Sequence, residues 1–181
     1  MINENNTKIL CIDIQDKLVN MLKCSTEIAS NAYKILKAAA ILNVDTFLTE
    51  QYPKGLGSTI QSIKDIDGFS NFKLFEKTSF SALKNEDFMN EFSKSEKKNV
   101  LLFGIETHIC VYQTALELLE KDYNVYIIKD CSASRSKTNH KAALEILKQK
   151  GATITTLEIV LFEFLKSSKH PNFKEIQLLI K

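Results

Sequence analysis

Thr7-Lys8-Ile9-Leu10-Cys11-Ile12-Asp13 is a short, nearly continuous apolar run that ends on a carboxylate. A strand with one wet face alternates apolar and polar residues. This run does not, so it reads as a strand buried on both faces, as in parallel sheets. Downstream, Ile28, Ala32, Ile35, Leu36, Ala39, Ala40 and Asn43 recur at helical spacing, and residues 44–49 (VDTFLT) return to a strand pattern. Strand, helix and strand in this order make a βαβ unit.

The alternation continues along the chain. Residues 51–58 (QYPKGLGS) hold one of two prolines and two of five glycines, and read as a loop leaving the second strand's carboxyl end. Residues 72–77 (FKLFEK) make a third strand, 85–95 a short helix with Asn85 as its cap, and 100–104 (VLLFG) a fourth strand. Helix periodicity runs through Ile109, Gln113, Leu116, Leu119 and Glu120, and 124–129 (NVYIIK) is again a strand. A helix over 139–150 stops at Gly151, and a sixth strand, 152–156, precedes one or two closing helices. The expected class is α/β: a mostly parallel, doubly wound sheet with helices on both faces, one domain over residues 1–181. Ligands of such sheets gather outside the carboxyl ends of the strands.

Composition narrows the partners. Hydrophobic residues at 44% and charged residues at 25% show no bias toward disorder or fibres. The formal net charge is +2 and the charges are interspersed, so no basic stripe marks a nucleic-acid or membrane-surface partner, and a small-molecule substrate is expected. The polar start, Met1 to Lys8, lacks a signal-peptide core, and no apolar run approaches the roughly 20 residues of a membrane span. Cys11, Cys24, Cys110 and Cys131 are scattered without CxxC pairs, which predicts reduced thiols and a cytoplasmic protein. Arg135 is the single arginine in a chain otherwise built with lysine, a position that calls for a planar fork.

Three strand ends carry reactive side chains: Asp13 after the first, Lys77 after the third and Cys110 beyond the fourth. In Gly104-Ile105-Glu106-Thr107-His108-Ile109-Cys110 a strand breaks at glycine and a helix starts within a few residues, placing the thiol near a helix N-terminus. That dipole and a nearby Lys77 are expected to favour the thiolate, while Asp13 accepts the proton. Each residue alone has a plainer role: Asp13 as a helix cap, Lys77 as a solvated charge, Cys110 as a small core residue. Their combination is what suggests nucleophilic catalysis. Gln15, Tyr52, Phe80 and Ile105 are candidates to line the substrate pocket.

The histidines give no ligand set. His108 lies two positions from Cys110, on another side of the helix start; His140 is expected on a solvated helix face; His170, before Pro171, shapes a terminal turn. No three of them have metal spacing, so neither metal nor cofactor is expected. The absence of GxGxxG after the first strand removes a dinucleotide-binding reading. Cys11 and Cys24 read as packing residues.

Several long motifs in order make the sequence recognisable. Ile12-Asp13-Ile14-Gln15-Asp16, the Thr49 to Gly57 loop, Lys77-Thr78-Ser79-Phe80-Ser81 and the Gly104 to Cys110 turn resemble the isochorismatase-like hydrolases, nearest to the isochorismatase-domain-containing subgroup. Gln113-Thr114-Ala115-Leu116, Asp130-Cys131-Ser132-Ala133-Ser134-Arg135 and the closing His170-Pro171-Asn172-Phe173 extend the resemblance over nearly the whole chain. It implies a three-layer α/β/α fold with strand order 3-2-1-4-5-6, a homo-oligomer, and an Asp-Lys-Cys triad that falls on Asp13, Lys77 and Cys110. It also implies a cis peptide at Ile105-Glu106, with the Glu106 and Cys110 N–H groups as an oxyanion hole. True isochorismatases lack the cysteine, so Cys110 points to amidase-like members that cleave C–N bonds. Nicotinamidase relatives carry metal-binding histidines after strand two, and the matching stretch here has none. The competing expectation is a catalytically idle binding or scaffold protein that keeps the pocket.

Overall fold

The computed structural model describes residues 1–181. Its centre is a six-stranded sheet of β1 (Thr7–Ile12), β2 (Asp45–Gln51), β3 (Lys73–Lys77), β4 (Asn99–Gly104), β5 (Asn124–Ile128) and β6 (Thr153–Thr155). The order is β3-β2-β1-β4-β5-β6, every pairing is parallel, and the arrangement matches the one the resemblance implies.

All six residues of β1 are buried. The pleat sends Ile9 and Cys11 into one core and Leu10 and Ile12 into the other, and β4 divides Leu101 and Phe103 from Val100 and Leu102 in the same way. Each such Ile or Leu contributes about 1.5–3 kcal/mol on burial, which is why the central strands tolerate so few polar residues.

Nine helices surround the sheet: α1 (Asp16–Asn20), α2 (Ser25–Leu42), α3 (Pro53–Leu56), α4 (Gln61–Lys64), α5 (Glu86–Phe92), α6 (Tyr112–Glu120), α7 (Lys137–Gln149), α8 (Leu157–Leu165) and α9 (Phe173–Leu179). Buried residues of α2, α8 and α9 share one core, and those of α5, α6 and α7 share the other, giving three layers. Asn43 ends α2 in the left-handed conformation, with φ of 58°. The Asn85 side chain accepts the Phe88 N–H at 2.8 Å and starts α5, as its cap position predicts.

Two local readings change. The 51–58 loop contains the single turn α3, which Pro53 opens because its fixed φ and missing N–H suit a first helical position. The helix expected through Ile109 begins as a π-helical turn, Thr107–Val111, before α6 takes over. In the apolar stretch 159–165, Val160, Leu161, Phe164 and Leu165 pack inward while Ile159 and Phe162 face out.

Candidate functional site

The chain reverses its winding direction between β1 and β4, and the site lies at the carboxyl edge there. Asp13 follows β1 directly. Its φ is 53°, a conformation that aspartate tolerates better than branched residues, and its N–H donates to Thr49 O of β2 at 3.1 Å. The carboxylate is fully buried and engaged twice: Oδ1 accepts the Thr49 hydroxyl at 2.6 Å, and Oδ2 accepts Lys77 Nζ at 2.8 Å.

Lys77, the last residue of β3, reaches this position past the end of β2. Its ammonium also donates to Gln51 Oε1 at 2.6 Å and Phe80 O at 3.1 Å, with Ser79 O at 3.3 Å. Three protons therefore meet a complete set of acceptors. Burying either charge alone would cost several kcal/mol, so each side chain makes the other's position tenable.

Cys110 arrives from the other side of β1. Gly104 closes β4 at a φ of 138°, and a Cβ there would collide with the Ile12 carbonyl oxygen. Glycine alone lets the two backbones approach so that Ile105 N–H donates to Ile12 O at 3.0 Å. The Ile105-Glu106 peptide is cis, and Thr107 N–H donates to Ala133 O at 2.9 Å. The Glu106 N–H has no backbone acceptor. The π-helical turn then brings Cys110 to the site at 6% exposure, with Sγ 4.0 Å from Gln51 Oε1.

The electrostatics overturn one expectation. Burial, reinforced by the Asp13 charge, pushes the Cys110 thiol up to about 12, and Lys77 opposes this without prevailing. The helix start does not leave a standing thiolate. Ionising a thiol of that pKa at neutral pH costs about 7 kcal/mol, so the resting sulfur is protonated.

A cavity of about 210 Å³ opens on Cys110. Its walls are Leu18, Met21, Leu56, Phe80, Ile105 and Ile109, with Gln51, Glu106 and Arg135 as polar groups. Phe80 and Ile105 thus stand where a pocket-lining role requires. Gln15 does not: it is fully buried, donates to Gln51 O and Gly57 O at 3.1 and 2.5 Å, and accepts the Gln51 N–H at 2.7 Å. It clamps the β2 end to the following loop. Tyr52 is exposed and lines a different hollow, of about 410 Å³, together with Lys54, Glu76 and Lys84. That larger space borders Lys77 but not Cys110, so its size gives it no claim on the chemistry.

Thr49 and Gln51 are the site residues that sequence reasoning missed. Both looked like ordinary strand and loop positions, and only the register of β2 between β1 and β3 puts their oxygens on Asp13 and Lys77. His108 Nδ1 lies 3.0 Å from Ser134 Oγ and lines a separate hollow beside α7, not the Cys110 cavity. His140 departs from its expected solvated face: it is half-buried, pairs with Thr107 Oγ1 at 2.9 Å, and is held below its ordinary pKa by burial. His170 Nδ1 accepts the Asn172 N–H at 3.2 Å and does shape the terminal turn. Cys11 and Cys131 are both fully buried, while Cys24 is partly exposed. No group of three His, Cys, Asp or Glu side chains converges to hold a metal ion. No helix is long and apolar enough to cross a membrane.

Known proteins agree with this architecture. Isochorismatase domain-containing protein 2 of Xenopus laevis is 38% identical over 179 residues, covering 99% of this chain and 85% of the relative. The structure of MAR1 ribonuclease from Caenorhabditis elegans superposes with a TM-score of 0.92 at 38% identity, covering 99% of this chain and 91% of that one. The Escherichia coli YcaC gene product, an octameric hydrolase of unknown specificity, shares the fold with a TM-score of 0.88 at 21% identity over 98% and 94% of the two chains. The family model for the isochorismatase domain matches residues 7–159, a span that runs from β1 into α8 and holds Asp13, Lys77 and Cys110, and by that match and these identities the chain belongs to the isochorismatase family.

Proposed function

We propose that this chain is a metal-independent cysteine hydrolase that cleaves a C–N bond in a small amide, with Cys110 as nucleophile, Asp13 as acid-base residue and Lys77 as its cationic partner. The observation that carries this reading is the buried Lys77–Asp13 pair beside a thiol that forms the wall of an apolar cavity. The family's hydrolase fold supports the reaction class.

The raised thiol pKa defines the first step. Because a free thiolate is about 7 kcal/mol out of reach, the proton passes to Asp13 as the sulfur attacks the amide carbon, not before. Lys77 keeps the carboxylate in place and balances its charge within the buried surroundings. The carbonyl oxygen takes up negative charge, and the N–H groups of Glu106 and Cys110 are the donors assigned to it, each worth about 3–4 kcal/mol in such sites. The C–N bond breaks as Asp13 returns the proton to the departing amine, leaving a thioester on Cys110. Water then attacks the thioester, gives a proton to Asp13, and the acid leaves as the thiol is restored.

Two other readings are weaker here. An idle scaffold has no use for two buried opposite charges beside a cavity, an arrangement that is costly to maintain. The C. elegans relative is a ribonuclease, but a cavity of about 210 Å³ with six apolar walls and an overall charge of +2 suit a small ligand better than a polynucleotide. Assembly as a cytoplasmic homo-oligomer belongs to the same proposal, and YcaC offers an oligomeric precedent.

Release of ammonia from a panel of small amides, ureas and carbamoyl compounds, in parallel with cleavage of labelled RNA, tests the reading. Turnover of at least one amide that survives EDTA and disappears in Cys110→Ala is the expected result. RNA cleavage without amide hydrolysis, or turnover unaffected by Cys110→Ala, would overturn it.

A further inference from the structure

Gln51, the last residue of β2, lines the Cys110 cavity, and the proposed reaction gives it no task. Its Oε1 reaches both groups that matter there, 2.6 Å from Lys77 Nζ and 4.0 Å from Cys110 Sγ. It is also the nearest acceptor of the ammonium, ahead of Asp13 Oδ2 at 2.8 Å, Phe80 O at 3.1 Å and Ser79 O at 3.3 Å. An ammonium has three protons, so one held by Gln51 is one that the sulfur does not receive.

The amide is pinned in this direction. Nε2 donates to Thr78 O at 2.7 Å, which fixes Oε1 on the ammonium, since a reversed amide would set its NH2 against a cation and its oxygen against another oxygen. The main chain is held as well: the Gln15 side chain accepts the Gln51 N–H at 2.7 Å and donates to the Gln51 carbonyl at 3.1 Å.

The other charges around the sulfur are accounted for. Burial and then the Asp13 charge raise the thiol pKa, and Lys77 lowers it by less. Glu106 and Arg135 line the same cavity and pair with each other, Oε1 to Nε at 3.5 Å, so each compensates the other's charge. That leaves Lys77 as the donor whose direction decides. An ammonium N–H released from Gln51 and turned to the sulfur would favour the thiolate, and a standing thiolate is open to alkylation and oxidation before any substrate arrives.

We propose that Gln51 is a positioning residue that keeps the proton on Cys110 by holding a Lys77 N–H off the sulfur, so that ionisation and attack stay coupled. The inference rests on the reading of Cys110 as nucleophile and adds the control of its resting state. Gln51 acts here through Lys77, not on the substrate.

Iodoacetamide labelling of the full chain at pH 9, read by peptide mass spectrometry, follows the thiolate at Cys110 with Cys24 as internal reference. Gln51→Met, close in size but with no oxygen to hold the ammonium, should speed Cys110 labelling about tenfold or more, the factor given by one pKa unit, and leave Cys24 unchanged. Gln51→Glu restores an oxygen at the ammonium and should label no faster than the unmodified chain. A Lys77→Met background separates protonation from access: adding Gln51→Met there should change the rate by less than about threefold. Cys11, buried in the core, reports any unfolding, and Gln51→Leu takes the place of a variant in which it labels. An unchanged Cys110 rate in Gln51→Met, acceleration by Gln51→Glu, or the same gain in the absence of Lys77 would overturn the inference. Ammonia release by the unmodified chain tests the hydrolase reading separately. Labelling that depends on Gln51 without ammonia release sinks only the catalytic reading, while ammonia release with a Cys110 rate indifferent to Gln51→Met sinks only this one.

Discussion

Two lysines lie buried at opposite edges of the same sheet, and they are buried in different ways. Lys77, at the carboxyl edge of β3, faces the Asp13 carboxylate at 2.8 Å. Lys8, near the start of β1, has no carboxylate in hydrogen-bond contact. Its Nζ donates to Phe92 O at 2.7 Å and Ser95 O at 3.1 Å, closing the carboxyl end of α5, and sits 3.9 Å from the Phe92 ring centroid. At one edge a charge is balanced by a charge; at the other it is solvated by carbonyl dipoles and an aromatic face. The first arrangement poises a carboxylate beside a thiol, and the second fastens a helix. Burial of a lysine is therefore no mark of function by itself, and the identity of its partner is what separates the two cases.

The sharpest way to break this comparison is to make the same replacement at both edges. Lys77→Met strands a buried carboxylate, and stability should fall by about 3–5 kcal/mol in urea unfolding, with turnover lost. Lys8→Met leaves two carbonyl acceptors unpaired, so a loss of about 1–2 kcal/mol is expected, with kcat within twofold of the unmodified chain. Similar losses of turnover in both variants would erase the distinction drawn between the edges.

Titration sharpens it further. Burial lowers the Lys8 pKa from 10.5 to about 8, and the Asp45 charge offsets this only in part. The unfolded chain then holds more protons than the folded one between those values, so this lysine's contribution to stability rises with pH from about 8 to 10.5 and levels off below 8. The slope is at most about 1.4 kcal/mol per pH unit. Cys11, Cys110 and Cys131, whose thiols are all pushed up by burial, act with the opposite sign above pH 9. The observable is therefore the difference in unfolding free energy between the unmodified chain and Lys8→Met, which should widen as the pH rises over this interval. A pH-independent difference would show that Lys8 titrates normally.

The smallest effect concerns the thiols. With its pKa near 12, Cys110 should react slowly with iodoacetamide at pH 7, after the partly exposed Cys24, and its rate should still be climbing above pH 9. Peptide mass spectrometry after partial labelling reads the order. Preferential labelling of Cys110 at neutral pH would restore the standing thiolate that the buried geometry argues against.

Residue order alone determined the parallel sheet, because a run such as Ile9 to Ile12 can be satisfied only between two apolar layers, and the helical spacing from Ile28 to Ala40 supplies one of them. It also determined where to look, since Asp13, Lys77 and the turn before Cys110 each follow a recognisable strand end. Tertiary structure decided the rest. Gln15 and Gln51 are the same residue type near neighbouring strand ends, yet one clamps a backbone and the other bonds the Lys77 ammonium, because β2 lies between β1 and β3 in a register that composition does not encode. The Cys110 pKa went opposite to expectation for the same reason. A helix start and a lysine are local features visible in sequence, but desolvation depends on how completely distant segments close over the sulfur, and here they leave it 6% exposed.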